Sequence, residues 1–261
     1  MLRVAAAAGE FYPEDKKELG DIIDKLLNQA EPFNLAQGKI FGLLLPHASY
    51  DYSGQAAAYG FNAIAGKNFD TVIIISDSHY ERFDGVAVYP AGLWETPLGK
   101  IEVDNDLART VLAKSKRFLR RDSAHLWEHA IEVQLPFLQK ILKKFKILPI
   151  VFGSENKDWQ ELADVISKNI LKKKILIIAS ADLSHYLPYG KAQKIDQKTI
   201  TSILNLQNKN LDICSIDAAR TLIKIAKNMS GRAKLLKYAN SADVSGDKSK
   251  TVGYGAVAFY R

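Results

Sequence analysis

Leu43-Leu44-Leu45-Pro46-His47-Ala48-Ser49-Tyr50-Asp51-Tyr52-Ser53-Gly54 sets a short apolar run directly against a polar knot that carries a histidine. The run begins at Ile40 and is too short for a helix, and its continuous apolar character suits a strand buried on both faces. Two other segments share the design. Ile73-Ile74-Ile75 leads into Ser76-Asp77-Ser78-His79-Tyr80, and Ile177-Ile178-Ala179 leads into Ser180-Ala181-Asp182-Leu183-Ser184-His185-Tyr186. Ligands of open α/β sheets sit beyond the carboxyl ends of strands, so three such loops are expected to converge at one edge.

The spacing elsewhere completes the architecture. Buried strands are expected over 40–45, 71–76, 147–152 and 175–180, with further strands over 85–89 and 252–260, the last closing the sheet. Helical periods cover 16–28, 55–64, 104–113, 129–144, 159–171, 191–206 and 216–227. In the fourth of these Ile131, Leu135, Leu138 and Leu142 share a face and Pro136 is expected to kink it. No linker or repeat interrupts the alternation, which predicts one α/β domain over 1–261: a central mixed sheet with helices on both faces.

Composition narrows the function. With 47% hydrophobic residues in 261, the chain can bury a core without disulfides, and its one cysteine cannot form an internal one. Cys214 falls within the apolar pattern of Ile213, Ile216, Ala219, Leu222 and Ile223, where it reads as a small buried hydrophobe. Glu10 and Asp15 follow the Ala5–Ala8 run too closely for a secretory segment, and no stretch approaches the roughly 18 apolar residues of a membrane span. A cytoplasmic protein without a membrane partner is expected. The formal charge of +7 raises nucleic acid as a partner. Its clusters argue otherwise: Lys143, Lys144 and Lys146, and again Lys172, Lys173 and Lys174, end helices, where cations complement the macrodipole. No specific nucleic-acid partner is expected, and Arg117, Arg120 and Arg121 read as an exposed face.

All five histidines, His47, His79, His125, His129 and His185, lie in polar knots rather than in Lys-rich stretches. Two neutral imidazoles on separate strand ends plus a carboxylate can hold Fe(II), Zn(II) or Cu(II) with positions left open. His47 and His79 are the candidate metal ligands. Asp243, in the polar loop before the last strand, is the candidate third, with Asp247 and Asp182 as competitors and an Asx turn as its structural role. His185, three residues after Asp182, fits an acid/base whose tautomer a carboxylate fixes, so His185 and Asp182 are the candidate catalytic pair. His125, Trp127 and His129 are expected to wall a substrate pocket with Tyr50, Tyr80 and Tyr186, and a helix is expected to start after His125.

These segments together resemble the Memo family, whose fold is similar to the catalytic subunit of class III extradiol ring-cleaving dioxygenases. The resemblance runs through Ala8-Gly9-Glu10-Phe11-Tyr12-Pro13, the 46–54 loop, Ser76 to His79, Glu95-Thr96-Pro97-Leu98-Gly99, Glu128-His129-Ala130-Ile131-Glu132-Val133-Gln134-Leu135-Pro136-Phe137-Leu138, the 180–186 loop and Val252-Gly253-Tyr254-Gly255-Ala256. It implies non-haem Fe(II) held through His47 and His79, with His185 as acid/base. Zn, Cu or a metal-free pocket are the other states compatible with it. The resemblance also places a cysteine, in eukaryotic members, in the loop aligned near Asp243 and Val244, where this chain has none. A site of nitrogen and oxygen ligands favours Fe(II) or Zn(II) over Cu(I).

The resemblance implies a metal-dependent, dioxygenase-like redox enzyme acting on a small molecule. The competing class is a non-catalytic module that holds a peptide or anion in the same pocket, because fold does not fix activity. Microbial relatives encoded beside a radical-SAM protein imply a functional link to such a partner; the chain lacks the three-cysteine motif that would make it that partner.

Overall fold

A computed structural model describes residues 1–33, 38–154, 158–170 and 174–261. Strand β1 (Leu2–Arg3) precedes helix α1 (Lys16–Gln29), and β2 (Ile40–Leu45), α2 (Tyr50–Asn62) and β3 (Thr71–Asp77) form the first crossover. Next come β4 (Val86–Val88), the hairpin β5 (Leu93–Thr96) and β6 (Gly99–Glu102), α3 (Asn105–Leu112) and β7 (Phe118–Arg120). Three short helices, α4 (Ser123–Leu126), α5 (His129–Glu132) and α6 (Leu135–Ile141), lead to β8 (Lys146–Phe152), α7 (Asp158–Ile170) and β9 (Ile175–Ser180). The chain continues through β10 (His185–Leu187), α8 (Tyr189–Leu204), α9 (Ile216–Asn228), β11 (Arg232–Asn240), the single turn α10 (Ala242–Ser245) and β12 (Thr251–Tyr260).

The large sheet has the order β10-β12-β2-β9-β3-β8-β4-β7, with β11 also beside β12. Its centre is parallel: β9 pairs β2 on one side and β3 on the other, while β12 and β4 join antiparallel. The sheet is mixed, as expected, and helices cover both faces.

Period-two alternation explains why unbroken apolar runs form these strands. Leu43, Leu45, Val72, Ile74, Leu176 and Ile178 face one hydrophobic layer with Leu19, Ile23, Phe61 and Phe137 from helices α1, α2 and α6. Leu44, Ile73, Ile75, Ile175 and Ile177 face the other, with Leu162, Ile166, Leu222 and Ile223 from α7 and α9. Each such side chain stabilises the fold by about 1.5–3 kcal/mol, so a polar residue at either parity would cost heavily.

The topology also makes the crevice. Because β9 lies between β2 and β3, the crossover from β2 through α2 packs on the first layer while α7, which leads into β9, packs on the second. Such a switch point opens a gap at the carboxyl end of the middle strand.

Several expectations are corrected. The 129–144 period is two helices rather than one kinked helix: it breaks at Val133 and Gln134, and Pro136 sits in the first turn of α6, where its missing N–H costs nothing. The helix of His129, α5, starts after His125 as expected, but His125 itself lies in a separate helical turn, α4. The 93–102 hairpin, β7, β10 and β11 are additional strands, and β11 escapes the apolar pattern because Arg232, Lys234 and Lys237 interrupt it. Lys146 opens β8 and pairs with Glu102 at 2.7 Å, and Lys174 precedes β9. Helix α7 is described to Ile170, so Leu171, Lys172 and Lys173 lie outside the described residues. Arg117 pairs with Asp84 and Asp158, and Arg121 with Glu81. No helix among the described residues is long and apolar enough to cross a membrane.

Candidate metal centre

Three imidazoles meet at the crevice. His47 follows β2, His79 follows β3 and His129 opens α5, and one ligand atom from each lies within 4.8 Å of the others. Their ring centroids are 4.9 Å apart for His47 and His79, 5.3 Å for His47 and His129, and 4.8 Å for His79 and His129. Phe11 stacks on His129 at 4.3 Å, closing one side.

The surrounding hydrogen bonds fix which nitrogens are free. The one hydroxyl proton of Ser180, at the end of β9, goes to the Ala130 carbonyl at 2.6 Å, and its oxygen also accepts from Gln134 Nε2 at 2.8 Å. His47 Nδ1, 3.2 Å from that same oxygen, must therefore donate, which leaves the Nε2 lone pair of His47 facing the crevice. The buried Glu128 carboxylate accepts His79 Nδ1–H at 2.9 Å and the His79 backbone N–H at 2.8 Å, which leaves the Nε2 lone pair of His79 likewise free. Carboxylate and hydroxyl partners behind metal-binding imidazoles commonly hold tautomer and aim in this way.

Electrostatics follow from burial. His47 is held well below the usual imidazole range by burial and then by the neighbouring His79, His129 and His185. Burial brings His129 down to about 4. His79 goes the other way: burial opposes its charge, but the hydrogen bond and charge of Glu128 outweigh it and raise its pKa. Burial also pushes Asp182 up to about 6. Asp182 accepts the His47 backbone N–H at 2.8 Å and lies 4.0 Å from His47 Nε2.

The segment from Glu128 to Gln134 carries most of this support. Glu132 is fully buried and receives the Arg3 guanidinium, the Tyr12 hydroxyl and the backbone N–H groups of Ala6 and Ala7. Arg3 also donates to the carbonyls of His125 and Glu128, at 3.0 Å each, and lies over Trp94 at 4.4 Å. The N-terminal segment is thus clamped to the loop that presents Glu128 and His129.

The expected site residues divide. His47 and His79 come together, and His129, expected in the pocket wall, joins them. His185 is close enough for its charge to act on both His47 and Asp182, and its Nδ1–H donates to the Leu183 carbonyl at 2.8 Å, leaving Nε2 free. Asp243 is not brought into the trio: it is exposed, with Oδ2 accepting Asn240 N–H at 2.8 Å and Oδ1 near the Tyr189 hydroxyl at 3.4 Å. Asp247 is exposed and bonded to Ser249. Tyr50 is core, its hydroxyl donating to the Val133 carbonyl at 2.7 Å. His125 is core too, packed edge-on against Tyr89 and Trp94. Trp127 and Tyr186 are 69% and 73% exposed, and Tyr80 meets His129 edge-on at 5.8 Å.

Sequence reasoning missed Cys214. It precedes α9 rather than joining its apolar face, and Sγ lies 3.2 Å from His47 Nε2 and 3.2 Å from the Asp182 backbone N–H. Burial, then the charge of Asp182, pushes the thiol pKa up, so it is protonated and lies as a neutral neighbour of the His47 Nε2 lone pair. The apolar pattern on either side of Cys214 hid this position. Glu128, Ser180 and Gln134 were missed as supporting groups because nothing local marks a side chain that acts through another.

A mixed α/β sheet with a cluster of three imidazoles at the carboxyl ends of its central parallel strands, two buried and that of His79 open to solvent, defines the class of protein. The chain belongs to the Memo-like protein family, whose profile matches residues 3–258. A MEMO1 family protein of Desulfurococcus amylolyticus is 36% identical, with 99% of each chain covered. One from Methanosarcina mazei is 37% identical with 98% of each covered, and one from Nitrosopumilus maritimus is 34% identical, covering 99% of this chain and 100% of the relative. Among solved structures, an uncharacterized protein of Escherichia coli K12 matches at 10% identity with a TM-score of 0.49, covering 84% of this chain and 99% of that one.

Proposed function

We propose that the protein is a metal-dependent redox enzyme of the non-haem iron type, with the ion held by His47, His79 and His129. The observation that carries the reading is the trio itself: three ligand atoms within 4.8 Å, two of them lone pairs fixed by Ser180 and Glu128. Neutral imidazoles suit Fe(II), Zn(II) or Cu(II), and Fe(II) is the ion that the family resemblance favours. When bound, such an ion supplies Lewis acidity and, if iron, one-electron chemistry.

The chain's own residues do the rest. Glu128 and Ser180 hold the ligand tautomers, and Phe11 keeps water from one side of His129. His185, with Nδ1–H committed to Leu183, offers Nε2 to take or return a substrate proton, and Asp182 stands beside it as a buried carboxyl. A small molecule enters past the exposed Tyr80, beside His129, and Tyr186, beside His185.

Anaerobically purified protein should take up about one Fe(II) per chain, and the His47→Ala, His79→Ala double variant should take up none. Equal metal content in that variant rejects the reading. A peptide or phosphate that raises Tm of metal-free protein, in the absence of any metal uptake, would favour the binding-module alternative.

A further inference from the structure

Asp196 is a buried carboxylate on α8 that the metal centre does not use. Oδ1 accepts the Ser184 backbone N–H at 2.9 Å, and Oδ2 accepts the Tyr238 hydroxyl from β11 at 2.7 Å. It thus holds the backbone immediately before His185. Two further bonds grip the same turn from β12: Leu183 N–H donates to the Gly253 carbonyl at 2.8 Å and Gly253 N–H to the Ser184 carbonyl at 3.0 Å.

The approach is close. A Cβ at position 253 would run into the Asp196 carboxylate, so glycine is required for the two to share this space. Beyond His185 the backbone is in the left-handed region, with Tyr186 at φ 57°, a conformation that a bulky residue keeps only where the surroundings enforce it. His185 itself bonds within this turn, Nδ1–H to the Leu183 carbonyl, and the direction of that carbonyl depends on the adjacent Ser184 peptide.

We infer that Asp196 is a positioning residue for His185: by gripping the Ser184 amide it aims the Leu183 carbonyl at Nδ1 and so keeps the His185 Nε2 lone pair free toward the crevice. This rests on the reading of His185 as the acid/base. Asp196 touches none of the three imidazoles, so its loss should leave the ion-binding atoms in place.

The test is the tautomer of His185 in the full chain, read from the ring 15N resonances of histidine-labelled protein and assigned with His185→Gln. Wild type should show well-separated Nδ1 and Nε2 signals of one tautomer. In Asp196→Ala the two should move toward their common average, and Asp196→Asn, which keeps an oxygen for the Ser184 amide, should restore the separation. Tyr238→Phe, which loosens Asp196 without removing it, should shift them the same way by less. A single Nδ1–H tautomer retained in folded Asp196→Ala overturns the inference; should that variant not fold, unchanged signals in Tyr238→Phe overturn it instead. Zn(II) titration of the same samples reports on the metal reading separately, because wild type that takes up no Zn(II) counts against the centre whatever His185 does.

Discussion

Glu128 and His79 are joined twice: one carboxylate oxygen accepts the His79 backbone N–H at 2.8 Å and the other accepts Nδ1–H at 2.9 Å. A single buried side chain thereby fixes both where the loop after β3 goes and which imidazole nitrogen is free. The same carboxylate accepts the Ala130 N–H at 3.1 Å, capping the helix that presents His129. Two of the three imidazoles therefore depend on one carboxylate.

Glu128→Gln removes the charge while keeping the shape. Losing the carboxylate partner of a metal-binding imidazole typically costs 10–100-fold in affinity, so Zn(II) or Fe(II) binding should weaken by about 10-fold or more. The His79 imidazole should also titrate lower in the metal-free variant, because the charge that raises it is gone and an amide oxygen is a weaker acceptor. Unchanged affinity by calorimetric titration would count against the supporting role of Glu128.

The third ligand separates two expectations. His129→Ala should lose metal as His47→Ala does, whereas Asp243→Ala should keep it, because Asp243 is exposed and bonded to Asn240. Metal content measured side by side decides this, and the reverse pattern would return Asp243 to the site.

The clamp at the N-terminus is a stability element. Arg3 is 1% exposed and Glu132 fully buried, so Arg3→Met leaves a buried carboxylate facing no cation. Breaking one side of a buried pair costs about 3–5 kcal/mol, which denaturant titration should report. A loss below about 1 kcal/mol, the scale of an exposed pair, would contradict the burial.

His125 gives stability a pH dependence. Burial, then the Arg3 guanidinium, brings its pKa down to about 3, against the opposing pull of Glu128 and the Ala87 backbone. Between about pH 6.5, where an unfolded histidine titrates, and pH 3 the unfolded chain binds a proton that folded His125 refuses. Its contribution is therefore complete above pH 6.5 and is lost as pH falls, at up to ~1.4 kcal/mol per pH unit. His125→Leu lacks this proton, so the stability gap between wild type and variant should shift by that slope toward the variant on acidification. Parallel stability curves from pH 7 to 4 would show that His125 is charged in the fold.

Much of the fold is legible because double-sided burial writes itself into composition. Ile40–Leu45 and Ile175–Ser180 are strands over the expected residues, since only a central strand of a sheet covered on both faces is buried at every position, without polar alternation. β11 is not legible, because an edge strand keeps lysines and its identity comes from pairing with β12. In the 129–144 segment the apolar spacing at 3.6 continues across the break at Val133 and Gln134, whose backbones keep helical dihedrals: Pro136 has no N–H to carry the ladder across, and the Gln134 side chain reaches the Pro46 carbonyl and Ser180.

Sequence alone determined that His47 and His79 follow buried strands and that their loops belong at one rim, since this follows from local patterning and the geometry of parallel sheets. Only the tertiary structure decided that His129 completes the trio, that Cys214 faces His47 while Asp243 faces solvent, and that Tyr50 and His125 belong to the core. The physical reason is range. A strand is chosen by its own side chains, whereas a metal site is chosen by which lone pairs remain unclaimed once Ser180, Glu128 and the Leu183 carbonyl have taken the others, and those partners lie up to 133 residues away along the chain.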